Sequence, residues 1–125
     1  MSTGTTVIWA FRDPAYQQTN LTGFKVEATD GSIGKIDEAT YEVGKSFVIV
    51  DTGPWIFGRK VMLPAGVIER VDEADAKVWV NRTKGQIKDS PEYDASMISD
   101  PGYHGEVAEY YGPGGPAHRD FDHHV

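Results

Sequence analysis

From residue 24 onward, apolar and polar side chains change places at every position: Phe24, Val26 and Ala28 alternate with Lys25, Glu27 and Thr29. A two-residue period marks a strand buried on one face, because successive side chains leave a strand on opposite sides. Asp30-Gly31 follows, and its glycine supplies the positive φ of a tight hairpin turn. On the return run Ile33 and Ile36 fall out of phase across Gly34, which predicts a bulge there and a bent strand. Phe47-Val48-Ile49-Val50 is apolar on both faces, the pattern of a strand covered on both sides. Lys60-Val61-Met62-Leu63 reaches Pro64, and Val67-Ile68-Glu69-Arg70-Val71 begins three residues later, so a kinked corner is expected between them. Val78 and Val80 share one face of a last strand that runs to Arg82. Six or so short strands joined by tight turns, in about 60 residues, are too few for two packed sheets. The expected fold is all-β, a small closed barrel.

Beyond residue 84 the pattern changes period. Ser90-Pro91-Glu92 reads as one helix start, a hydroxyl cap followed by proline at the first helical position. A second start at Ser99 or Asp100 leads to Tyr103, Val107, Tyr110 and Tyr111, which share one face of a short helix ended by Gly112-Pro113. Upstream, Val7-Ile8-Trp9-Ala10-Phe11 is a short apolar run broken by Pro14. The expected organisation is an N-terminal arm or extra edge strand over 1–20 and a barrel over 21–94. A helical extension over 95–112 and a flexible Gly/Pro/His tail over 113–125 complete it.

A chain of 125 residues is one domain's worth. Its net charge of −7 sets a long-range field that repels phosphate backbones and anionic bilayers, so nucleic acid is not the expected partner. No apolar run approaches the roughly 18 residues that cross a bilayer, and the first residues lack the basic and apolar parts of a secretion signal. With no cysteine, disulfides and thiolate metal sites are excluded. A cytoplasmic protein without membrane insertion is the expectation.

Several segments in order carry a family resemblance: Leu21-Thr22-Gly23-Phe24-Lys25-Val26, Asp30-Gly31-Ser32-Ile33-Gly34-Lys35-Ile36, Phe47-Val48-Ile49-Val50, Lys60-Val61-Met62-Leu63-Pro64 and Val67-Ile68-Glu69-Arg70-Val71-Asp72. Together they resemble the PRC-barrel domain, the family of the cytoplasmic barrel of the photosynthetic reaction-centre H subunit and of the C-terminal domain of a ribosome maturation factor. Residues 93–111 are similar to the extension of small stand-alone bacterial members. The resemblance implies a barrel that works through protein contacts. The membrane helix of the H subunit and the extra barrel of the maturation factor have no counterpart here, so neither role carries over.

Candidate chemistry is sparse. His118, His123 and His124 lie close to Asp120 and Asp122, a ligand set suited to zinc, nickel or copper, but a glycine-flanked tail has nothing to orient such ligands. A solvated polar tail is the preferred reading, with no metal and no cofactor. The acid groups Asp37 with Glu38, and Asp72 with Glu73 and Asp75, match no calcium loop, and the second falls where a hairpin turn needs polar residues. The Gly112–Pro116 stretch lacks the lysine and following helix of a phosphate loop, and no serine sits in a nucleophile motif. No enzyme is expected.

Trp55, Phe57 and Arg59, between two strands, form the candidate partner surface, since Trp and Arg dominate binding hot spots. For Trp55 and Phe57 the preferred reading is a plug folded over an open barrel end, since a barrel this small needs lids. The face Tyr103, Val107, Tyr110 and Tyr111 could enter a partner's groove or dock on its own barrel. An edge strand could pair between two copies, giving a homodimer. The expected function is a non-enzymatic adaptor for protein contacts, itself included. The alternative is a small-ligand or metal-responsive module.

Overall fold

Six strands form where the alternation lies, in a computed structural model that describes residues 8–42, 44–53, 59–112 and 115. They are β1 (Lys25–Ala28), β2 (Gly31–Thr40), β3 (Phe47–Asp51), β4 (Lys60–Pro64), β5 (Ile68–Asp72) and β6 (Lys77–Val80). One sheet holds them in the order β4-β3-β2-β1-β6-β5. β1 and β6 run parallel and every other neighbouring pair antiparallel. β4 and β5, its two ends, follow one another through the 3-10 turn Ala65–Val67, which is the expected corner. Among the described residues no ladder joins those two ends, so hydrogen bonding does not close the sheet.

β2 bends because it carries two irregularities. Opposite β1 the register skips Ile33, and opposite β3 it skips Asp37, so Ile33 and Ile36 both turn inward although three positions apart. Gly34 is obligatory at the first irregularity: its φ is +148°, and a Cβ there would lie 2.1 Å from the Asp51 carbonyl oxygen. Val26, Val48 and Val78, from three different strands, share one buried cluster. β3 is buried from Phe47 to Val50 and β4 from Val61 to Pro64, which is why neither shows the alternation of a half-exposed strand.

Residues 8–20 form no strand. The arm turns through the 3-10 segment Pro14–Gln18, capped by Asp13 Oδ1 accepting from Ala15 N at 2.9 Å, and lays Trp9, Phe11 and Leu21 into the core. Its polar bonds reach distant parts of the chain. Trp9 O accepts from Ser46 N at 2.9 Å, and Leu21 N donates to the Tyr41 hydroxyl at 2.9 Å. Arg12 Nε donates to Gly66 O at 3.0 Å and Thr19 Oγ1 to Glu73 Oε2 at 3.2 Å, at the two ends of β5.

After β6, Thr83 opens a short helix α1 (Lys84–Lys88) with a capping box: its hydroxyl accepts from Gln86 N, and the Gln86 side chain accepts from Thr83 N. The start expected at Ser90 does not form. Ser90 Oγ donates to Ile87 O at 2.7 Å, closing α1, and leaves 91–94 non-helical. The start at Asp100 does form, with Asp100 Oδ1 accepting from Gly102 N at 2.9 Å and Pro101 in the first turn of α2 (Pro101–Tyr111). α2 packs on β4 and buries Tyr103, Val107 and Tyr111. No helix among the described residues is long and apolar enough to cross a membrane.

Candidate functional site

The arm, the β2–β3 connection and the start of α2 meet around a groove of about 620 Å³. Three rings from three distant segments build its wall. The Trp9 and Phe47 centroids are 6.1 Å apart, edge to face, and His104 lies 5.4 Å from each. Ile98 and Pro101 extend the apolar lining, while Glu42 and Lys45 are exposed and carry charge into it. The connection is held in shape by its own polar groups. Thr40 Oγ1 donates to Lys45 O at 3.0 Å and accepts from Phe47 N at 3.2 Å, and the buried Ser46 hydroxyl donates to Glu42 O at 2.9 Å. A largely apolar, ring-lined concavity of this volume lies within the range of small-molecule and peptide side-chain sites.

His104 has one ring nitrogen committed. Nε2 lies 2.8 Å from Ile98 O, and a carbonyl can only accept, so Nε2 carries the proton. In the neutral ring Nδ1 then carries the lone pair. Gly105, the next residue, also lines the groove. A Cβ built there would meet no heavy atom within 4 Å. Packing within the described residues does not require this glycine, which nevertheless costs a helix interior about 1 kcal/mol relative to alanine. Its effect is to keep the wall of the groove low.

Of the residues expected to bind a partner, Trp55 and Phe57 lie outside the described residues, as do His118, His123 and His124. Arg59 is committed inside the chain. Its guanidinium donates to Lys88 O at 3.0 Å and to Ser90 O at 3.1 Å, while its own carbonyl accepts from Thr52 Oγ1 at 2.6 Å. The clamp ties the start of β4 to the end of α1. Tyr103, Val107 and Tyr111 are turned onto the sheet, with Tyr110 half-buried beside them. That face of α2 is therefore covered by its own chain.

Each tyrosine of this face is anchored by a polar bond. The Tyr103 hydroxyl donates to Pro91 O at 3.0 Å and the Tyr110 hydroxyl to Gln86 O at 2.6 Å. Tyr111 is reached through its backbone: the buried Arg82 donates to Tyr111 O at 2.9 Å, where a cation complements the C-terminal end of the helix dipole. Arg82 also donates to the Asn81 side chain and places its guanidinium 5.7 Å from the Tyr111 ring centroid. Burial pushes the Tyr111 phenol well above its ordinary pKa, with the Ser90 hydroxyl acting in the opposite direction. Tyr103 is raised chiefly by burial and further by Tyr93, against the nearby Arg59. Both phenols stay protonated at neutral pH; the Tyr103 hydroxyl donates to Pro91 O, while the buried Tyr111 hydroxyl has no hydrogen-bond partner among the described residues.

The acid groups do structural work. Asp37 pairs with Lys60 at 2.7 Å, and Asp72 Oδ1 accepts from Asp75 N at 3.1 Å within the β5–β6 turn. No group of three or more His, Asp or Glu among the described residues is placed to hold a metal ion. The ring trio was missed in the sequence because no spacing links Trp9, Phe47 and His104. The available signals were a lone glycine inside a helical run and an apolar arm with no strand partner. Compared with known proteins, the chain matches no family model and no curated sequence.

Proposed function

We propose that this chain is a non-enzymatic adaptor of the PRC-barrel type, cytoplasmic, whose sheet curls into a closed barrel across the β4–β5 corner. It binds a protein partner, a second copy included, by seating an apolar side chain in the groove between the arm and α2. The observation that carries the reading is the ring-lined groove with a glycine in its wall that packing does not demand. The barrel part is supported by the turn at Asp30-Gly31, the bend at Gly34 and the corner after Pro64, which fall where the resembling segments have them. The non-catalytic part is supported by Thr40, Ser46 and His104 Nε2, which are engaged in holding the backbone.

Gly105→Trp projects a ring into the groove from an exposed helix position where a Cβ meets no heavy atom within 4 Å. A photo-crosslinking residue at Ser99, on the groove, is compared in cells with one at Arg70, on β5. A protein adduct at Ser99 that disappears in the Gly105→Trp background is expected. Adducts of equal yield at both positions, or a Ser99 adduct indifferent to Gly105→Trp, would overturn the reading. Native mass spectrometry showing a small molecule co-purifying, and lost on Gly105→Trp, would replace it with the small-ligand alternative.

A further inference from the structure

After α2 the chain reverses at once. Gly115 N donates to Gly112 O at 3.0 Å, and a Cβ at Gly115 would meet the Tyr110 carbonyl oxygen at 2.6 Å and run into that of Glu109. Residue 115 therefore lies half-buried against the last turn of the helix, where only glycine fits, instead of leading away from it. Gly105, which lines the groove, is one turn back from Glu109, about 6 Å along the helix axis. Pro101, which also lines it, is about 12 Å away.

Between those points the helix presents a shallow track. Pro101, Gly105 and Ala108 recur at spacings of four and three, which sets them on one side of α2, roughly opposite Tyr103, Val107 and Tyr111. No long side chain rises from that stripe. The groove it leads to is apolar in its wall, through Trp9, Phe47, Ile98 and Pro101, and charged at its rim, through Glu42 and Lys45. Neither rim residue makes an ion pair among the described residues.

The sequence beyond Gly115 fits both features. Pro116-Ala117-His118-Arg119-Asp120-Phe121-Asp122 holds one apolar ring, Phe121, set between two aspartates with an arginine two residues before it. Phe121 lies six residues beyond Gly115, and such a segment, extended, spans up to about 20 Å. The whole groove side of α2 is within its reach.

We propose that Phe121 of the same chain is an internal occupant of the groove, which a partner must displace in order to bind. Phe121 lies outside the described residues, and its assignment rests on the reversal at Gly115, on reach, and on the match between its flanks and the rim. Asp120 and Asp122 answer Lys45, and Arg119 answers Glu42. The proposal rests on the partner reading for the groove as a binding place, and adds how that place is regulated. A short linker holds a side chain at an effective concentration on the order of mM, so a ring with a Kd of about 1 mM fills the groove half the time and halves its affinity for a partner. The same linker favours the chain's own ring over that of a second copy at micromolar concentration.

The test places p-benzoylphenylalanine at position 121 of the full chain, where its first ring stands in for that of phenylalanine. Irradiation is expected to join it, within one chain, to a groove residue such as Trp9, Ile98 or Pro101, in a yield that dilution does not change and Gly105→Trp abolishes. Phe121→Ala is expected to move the NMR signals of the Ser99 and Gly105 amides and the Trp9 indole N–H while leaving that of Arg70 in place. It is also expected to raise the yield of the partner adduct at Ser99 roughly twofold. Crosslinks outside the groove, crosslinks only between chains, or groove signals indifferent to Phe121→Ala would overturn the proposal. A partner adduct at Ser99 with no groove crosslink from position 121 removes this proposal and leaves the partner reading standing. A groove crosslink with no partner adduct does the reverse.

Discussion

The arm and α2 both cover the sheet with aromatic side chains, yet they are fastened in opposite ways. Arm residues bond to partners far along the sequence: Trp9 to Ser46, Arg12 to Gly66, Thr19 to Glu73 and Leu21 to Tyr41. The polar anchors of α2 all lie in the preceding 30 residues, at Arg82, Gln86 and Pro91. The anchors of α2 are thus near in sequence, although Arg59 and Asp30 tie the stretch before it to the sheet, whereas the arm has no surface to bind until the strands are paired. Closing the longer loops carries the larger entropy cost, so the arm should form late and open first.

The largest effect expected from breaking this contrast is at Tyr111, which is fully buried. Tyr111→Ala removes the ring under Arg82 and the packing on the sheet, and should destabilise the fold by about 3–5 kcal/mol in urea unfolding. Phe11→Ala, at the edge of the arm cluster, should cost about 2–3 kcal/mol and accelerate hydrogen exchange at Ser46 N while leaving that of α2 unchanged. Equal losses, or exchange that rises in both regions together, would show that the two covers form one cooperative unit.

A pH dependence should separate them next. Tyr103 and Tyr111 have folded pKa values raised above the ordinary 10.0. Above pH 10 the unfolded chain releases phenolic protons that the folded chain retains, so stability is full below that pH and falls as pH rises past it. Alkaline unfolding followed at 295 nm should begin with the loss of α2, and Tyr103→Phe should make the slope shallower. The smallest effect has the opposite sign. Gly105→Ala restores helix propensity where a methyl group meets nothing, and should stabilise by about 0.5–1 kcal/mol in thermal melts.

The same contrast explains what could be read in advance. Strand phase, the bulge near Gly34 and the Asp100-Pro101 helix start rest on neighbours within a few residues, and each is visible as a local pattern. Ser90-Pro91-Glu92 satisfied the same local rule and failed, because the Ser90 hydroxyl found the Ile87 carbonyl behind it in place of an amide ahead. The Thr83 capping box is equally local, its Thr-x-x-Gln signal following directly on the strand run that ends at Arg82. Trp9 and Phe11 read as an arm or edge strand because their burial draws on rings 30 or more positions away, Phe47 for Trp9 and Tyr41 for Phe11. For the same reason the groove could not be seen: its walls come from both ends of the chain.

Trp9 belongs to two surfaces at once, with one side of its indole in the core and another in the groove wall. An occupant that packs against it favours the seated arm, and by thermodynamic reciprocity a seated arm raises affinity for the occupant by the same factor. Whatever loosens the arm around Trp9 would thus lower the affinity of the groove for any such occupant.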